Sequence, residues 1–205
     1  MPTVPTLTTP RFTLRPLRRS DAAALLPTLS DAEQCRYLSR EAFASEDELW
    51  AWLADPDWPG LSWIAAETQG AKTHAAKTQG AKTHGAGAGP AEGDVVARLV
   101  AVPTDGSTPE HGAVFEIGYI TVMHRQGEGV ARECARALIT HLLSPDHTPP
   151  VRKLTAEVDV RNAPSIALIE SLGFTREATL READATHIGL CDVHWYGLLA
   201  REWEG

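Results

Sequence analysis

Between Val114 and Ala131 the sequence changes from an apolar period of two to a period of four across a pair of glycines, the most informative junction in the chain. Val114, Glu116, Gly118, Ile120 and Val122 alternate along one face of a strand over 114–122. Val130, Cys134 and Leu138 then recur every fourth residue, which predicts a helix from Gly127 to Leu143, stopped by the Pro-rich stretch Ser144–Pro150. Glycines at a helix start leave backbone N–H groups uncovered, with the positive end of the helix dipole behind them. Such a site suits an anion and above all a diphosphate, although a plain tight turn asks for the same two glycines. Two nucleotide-binding signatures do not fit: a P-loop requires GxxxxGK[ST], and GxGxxG requires glycine where Arg132 stands. Glu116 places a carboxylate on an otherwise apolar strand face.

Around this junction the order reads β-α-α-β, an insertion, then β-β-α-β-α-β-β. Arg11–Arg15 alternates as a strand, and Ser20-Asp21 opens an apolar helix to about Leu29. Ser45-Glu46-Asp47-Glu48 is a capping box for a second helix, with Leu49, Trp52 and Leu53 turned to the core. Strands at 62–67 and 94–102 flank a repeat of period five, TQGAK-THAAK-TQGAK-THGAG, from Thr68 to Gly87. It holds three of the chain's four lysines and no acid. Residues 68–93 read as a flexible, low-complexity surface insertion in the hairpin between the second and third strands, or as a basic finger for an acidic partner. Further on, Lys153–Arg161 alternates with Leu154, Ala156, Val158 and Val160 inward. Asn162 caps a helix with Pro164 in its first turn, Gly173 closes it, and strands near 175–182 and 189–200 complete a mixed sheet.

A chain of 205 residues, 43% hydrophobic and 22% charged, suffices for one sizeable core. Its formal charge of -8 argues against a nonspecific grip on nucleic acid and suits an amine-bearing partner. Cys35, Cys134 and Cys191 are an odd number without metal-ligand spacing, so no metal, a reducing compartment and a cytoplasmic address are expected. Neither a signal-peptide pattern nor an 18-residue apolar run is present, and no membrane partner is expected.

Gly-Tyr-Ile-x-Val at 118–122, the loop 124–131, Asp159-Val-Arg-Asn162-Ala-Pro-Ser165, Glu170-Ser-Leu-Gly-Phe174, and Asp192–Tyr196 with Glu202-Trp203 resemble the GCN5-related N-acetyltransferases (GNAT). The opening TPRFTLRPLRRSDA resembles their ribosomal-protein, RimJ/RimL-like branch. The resemblance implies an α/β (α+β) fold over a single domain, 1–205, with a mixed, mostly antiparallel sheet of about seven strands and about four helices. It implies direct acetyl transfer from acetyl-CoA to a primary amine, without a metal. The strand 114–122 would splay from the strand 153–160, and the pantetheine arm would pair with backbone at Ile120, Thr121 and Val122, an N–H near Val122 polarising the thioester carbonyl. The loop of His124, Arg125, Gln126, Gly127, Glu128, Gly129, Val130 and Ala131 would hold the pyrophosphate. The family usually has Arg or Gln where His124 stands here. Asn162 would sit beside the pantetheine, and Ser165 would protonate the departing thiolate.

An amine must lose a proton before it attacks, which calls for a base. Glu116 on the splayed strand is the first candidate, and Asp184, in a loop after Leu180-Arg181, is the second; an ion pair and a solvated loop are their ordinary alternatives. The resemblance places the acceptor between the first two helices and the final strands, which points at Tyr37, Trp50 and Trp195, and Trp50 stands off the stripe of Leu49, Trp52 and Leu53. A protein N-terminal amine leads as acceptor. A polyamine, an aminoglycoside, or a non-catalytic acyl-CoA-binding module remain alternatives, and the chain is expected to be a monomer or homodimer.

Overall fold

The computed structural model describes residues 3–68, 93–108 and 110–205. Its strands are β1 (Leu7–Thr8), β2 (Phe12–Pro16), β3 (Leu61–Glu67), β4 (Val95–Pro103), β5 (Ala113–Thr121), β6 (Val151–Asp159), β7 (Thr175–Thr186) and β8 (Gly189–Leu199). They form one eight-stranded sheet in the order β1-β2-β3-β4-β5-β6-β8-β7. Only β5–β6 is parallel. Two-residue β1 is the strand beyond the expected seven. The helices are α1 (Asp21–Leu29), α2 (Glu46–Leu53), α3 (Val130–Leu142) and α4 (Ala163–Ser171).

Strand alternation divides the core into two layers. Trp63, Leu99, Phe115, Ile117 and Leu154 pack under α3 and α4 with Cys134, Leu138 and Ile169. Ile64, Ile120 and Val122 pack under α1 and α2 with Leu25, Leu29, Leu49 and Leu53. Arg15 and Asp21 form a buried ion pair at 2.8 Å where β2 turns into α1. The Asp21 carboxylate also accepts the Arg18 N–H at 2.7 Å, whereas Ser20 makes no side-chain cap. Among the described residues no helix is long and apolar enough to cross a membrane.

Several boundaries differ from the sequence reading for local reasons. Gly127 and Gly129 have φ of 76° and 75°, left-handed values that cannot continue a helix, so α3 starts at Val130 rather than at Gly127. In α2 the Ser45 hydroxyl accepts the Glu48 N–H at 3.2 Å as expected, but the Glu48 carboxylate reaches the Ala44 N–H, one residue short of a reciprocal box. Asp184 belongs to β7, not to a loop: a bulge between Leu180 and Asp184, with Glu182 at φ 48°, resumes pairing at Asp184↔Cys191. β3 and β4, the strands read at 62–67 and 94–102, are antiparallel neighbours, and the Glu67 N–H donates to the Asp94 carbonyl at 3.0 Å; they count as third and fourth here because β1 precedes them. The repeat itself lies outside the described residues.

Asn162 opens α4 as read, its Oδ1 accepting the Ser165 N–H at 3.2 Å. Asn162→Ala should cost about 1 kcal/mol, measured by denaturant unfolding, since a first-turn N–H loses its acceptor.

Candidate functional site

β5 and β6 pair only from Ala113↔Val151 to Glu116↔Thr155. Beyond that point Ile117–Thr121 and Ala156–Asp159 part and form facing walls of a cleft of about 840 Å³. Strands that part leave backbone donors and acceptors without ladder partners. On the other edge of β5 the Val122 N–H donates to the Val96 carbonyl at 3.0 Å. Alternation then commits the Ile120 backbone, opposite Arg98, to β4 and turns the Tyr119 and Thr121 backbone groups toward the gap. Gln126 Nε2 reaches the Thr121 carbonyl from that side at 3.3 Å. Of the three backbones expected to meet a ligand, Thr121 is open, whereas Ile120 and Val122 are held in the sheet. The Val122 N–H is therefore not available to polarise a carbonyl.

At one end of the cleft lies the glycine loop. A side chain at Gly127 would meet nothing within 4 Å, so it is the positive φ and not crowding that requires glycine there. Among the described residues no acceptor in the protein takes the N–H groups of Gly127 through Arg132, and α3 has no side-chain cap. Arg125 braces the loop through Glu67 at 2.7 Å and Glu128 at 2.8 Å. Arg11 does so through Glu133 at 2.6 Å and the Glu128 carbonyl at 3.1 Å. Arg125, Gln126, Gly127, Gly129, Val130 and Ala131 line the cleft. His124 and Glu128 are exposed outside that lining, because a short 3-10 turn at Met123–Arg125 carries His124 away.

At the far end stands Glu116. Burial pushes its carboxyl up to about 7, helped by the neighbouring charges of Glu157 and Asp184. Glu157 is also raised, by burial and then by Asp184. Among the described residues none of the three carboxylates has an ion-pair partner. Asp184 does not line the cleft and acts on Glu116 only through its charge. Ser165 lines it, and its Oγ accepts the Tyr119 hydroxyl at 3.0 Å. Burial raises the Tyr119 phenol. Tyr119 and Glu157 were not singled out in the sequence, where each reads as an ordinary strand position; only the parting of β5 from β6 makes them part of a site.

On the side of α1 and α2, Tyr37 lines the cleft, its hydroxyl donating to the Arg161 carbonyl at 3.2 Å. Trp50 and Trp195 do not line it. Trp50 is turned to α1, with the Arg19 guanidinium 5.6 Å from its ring, and Trp195 sits on β8 between Glu157 and Ala178. Trp52 takes the lining position instead, 4.8 Å from the guanidinium of Arg98. Among the described residues no group of three or more His, Cys, Asp or Glu side chains is arranged to hold a metal ion.

Comparison with known proteins gives a consistent likeness. The family described as Acetyltransferase (GNAT) domain matches residues 11–175. A curated relative, the uncharacterized N-acetyltransferase p20 of Bacillus licheniformis, is 34% identical over 90 residues, 44% of this chain and 49% of that protein. The match thus spans about half the length of that relative. Among solved structures, a probable GNAT-family acetyltransferase from Chromobacterium violaceum superposes with a TM-score of 0.75 at 19% identity, covering 100% of this chain and 91% of its own. A GNAT-family acetyltransferase from Bacillus anthracis gives 0.74 at 17% identity, covering 97% and 100%. The spermidine N-acetyltransferase of Vibrio cholerae, in complex with CoA and spermine, gives 0.69 at 18% identity, covering 96% and 100%. At these identities the likeness is one of fold.

Proposed function

Because the chain belongs to the GNAT acetyltransferase domain family, we propose that it is an enzyme that transfers the acetyl group of acetyl-CoA to a primary amine. The observation that carries this reading is the single cleft in which parted strands connect six uncovered N–H groups at a helix start to a carboxylate of near-neutral pKa. The N–H groups of Gly127–Arg132 suit the pyrophosphate, and the open edge at Tyr119 and Thr121 suits the amide groups of a pantetheine arm. Bound there, acetyl-CoA supplies an activated acetyl thioester.

Glu116 accepts the proton of the attacking amine. A base that titrates near 7 is matched to this task at neutral pH, where it is partly ionised and still basic enough to draw the proton. Ser165 donates a proton to the departing sulfur, with the Tyr119 hydroxyl behind it in the same hydrogen-bonded chain. Asn162 holds the first turn of α4, and with it Ser165, at the edge of the gap.

The acceptor we favour is a protein N-terminal amine, as the resemblance to the ribosomal-protein branch suggests. An α-amine near pKa 8 is about one part in ten neutral at pH 7, so a base of modest strength suffices, whereas a lysine ε-amine near 10.4 asks for more. A polyamine is the second reading, favoured by the three carboxylates that have no ion-pair partner among the described residues. Three buried free cysteines fit a reducing, cytoplasmic setting. The test is thiol release from acetyl-CoA with N-terminal peptides, polyamines and aminoglycosides. Acceptor-dependent release from at least one class is the expected result. Tight CoA binding with no release from any acceptor would leave a non-catalytic acyl-CoA-binding module.

A further inference from the structure

Arg98 is buried in the middle of the sheet, yet among the described residues it has no carboxylate partner. Its Nε donates to Ser62 Oγ at 3.1 Å. Its guanidinium lies 4.8 Å from the Trp52 ring and 5.3 Å from the Trp58 ring. The Trp58 ring in turn packs over Gly60, where an added Cβ would come within 2.4 Å of it. A guanidinium carries five N–H donors, and among the described residues the two terminal nitrogens of Arg98 have no acceptor, although they border the cleft. Leaving a cation desolvated without a counter-charge is costly, and the two tryptophans replace only part of its hydration. Burial lowers the group to about 10, so it stays charged at neutral pH.

The register places this cation relative to Glu116. Arg98 stands opposite Ile120, and Val102 opposite Glu116, so both side chains leave the same face of the sheet, the face under α1 and α2. Four residues of strand, about 13 Å, separate the two positions. Gly118 between them leaves the floor without a side chain. The glycine loop starts α3, which packs on the opposite face.

We propose that Arg98, framed by Trp52 and Trp58, is an anion-recognition site for the acceptor, which therefore carries a carboxylate several bonds from the amine presented to Glu116. This rests on the acetyl-transfer reading for its substrate. The carboxylate is either the acidic side chain of an N-terminal peptide or the free acid of a small amino acid, and planar two-pronged pairing with guanidinium serves both. A polyamine would instead place a second ammonium against Arg98.

Matched acceptors test this in the wild-type protein, with no variant required: 6-aminohexanoate against 6-aminohexanamide, and a C-terminally amidated Ser-Glu-Ala peptide against Ser-Gln-Ala, with 1,5-diaminopentane as the dicationic control. The acid member of at least one pair should show kcat/KM about 10-fold or more above its amide, as expected for a charge-assisted pair. Discrimination in the peptide pair alone assigns the side-chain carboxylate, and in the amino-acid pair alone the free acid. Arg98→Met should bring that ratio near one. Equal rates within both pairs, a preference for the diamine, or an Arg98→Met variant that loses acetyl-CoA affinity and keeps the ratio would each overturn the proposal. Calorimetry of the same compounds with the CoA-loaded protein separates the two levels. Acid-selective binding without turnover would end the acetyl-transfer reading and uphold the Arg98 site. Turnover without acid selectivity would do the reverse, and neither turnover nor acid-selective binding would end both.

Discussion

Gly129→Asp should lower acetyl-CoA affinity by roughly 100-fold or more while the protein still folds, the largest effect on binding expected at the cleft. Two causes act together. At φ 75° a side chain is strained, by about 1–2 kcal/mol, and the loop yields by shifting its N–H groups. The added carboxylate also puts negative charge where the uncovered donors of Gly127–Arg132 favour an anion. Arg11, 3.6 Å from the position a Cβ would take, is already paired with Glu133. Titration calorimetry with acetyl-CoA, alongside circular dichroism, checks both halves of this result. Near-normal affinity would remove the phosphate assignment.

Glu116→Gln should reduce kcat about 100- to 1,000-fold at pH 7, within the usual range for loss of a general base. The pH profile separates this from a structural effect. Wild-type activity should rise through about pH 7 as Glu116 ionises, and the variant should lack that limb and recover only at alkaline pH, where the amine deprotonates unaided. Stability should move the other way. Because the folded protein holds the Glu116 carboxyl above its usual value, the associated stability is full below about pH 4.5 and is lost as pH rises through about 7. Glu116→Gln should therefore melt above the wild type at pH 8, with the gap closing at pH 4.5. A uniform loss of activity at every pH, with a lower melting temperature, would make Glu116 a structural residue.

The junction at 114–131 was legible in the sequence because period and glycine placement are local properties. The strand, the loop and the helix follow from it, and the largest shift, at the helix start, comes from the left-handed turn at Gly129. The family resemblance supplied what no local pattern holds, the parting of β5 from β6, and the structure displays it beyond Glu116↔Thr155. The finer assignments failed where cross-strand geometry decides. The Val122 N–H belongs to Val96, a fact of register. Trp50 was favoured for standing off the apolar stripe of α2, but the residue of α2 that lines the cleft, Trp52, comes from that stripe. Asp184 lies beyond a bulge that no residue pattern announces. Arg98 did leave a signal, a charge within the apolar run Val95–Val102, and its partners were beyond reach because Ser62, Trp52 and Trp58 come from other segments.

The central claim is that acetyl-CoA lies between the parted strands with its pyrophosphate on the start of α3. Backbone hydrogen exchange, read residue by residue with and without acetyl-CoA, tests it most directly, since exchange of an exposed N–H slows when an oxygen accepts it. Slowed exchange at Gly127–Arg132, together with Tyr119 and Thr121, is the expected result. Unchanged exchange at those amides in protein saturated with acetyl-CoA would contradict it.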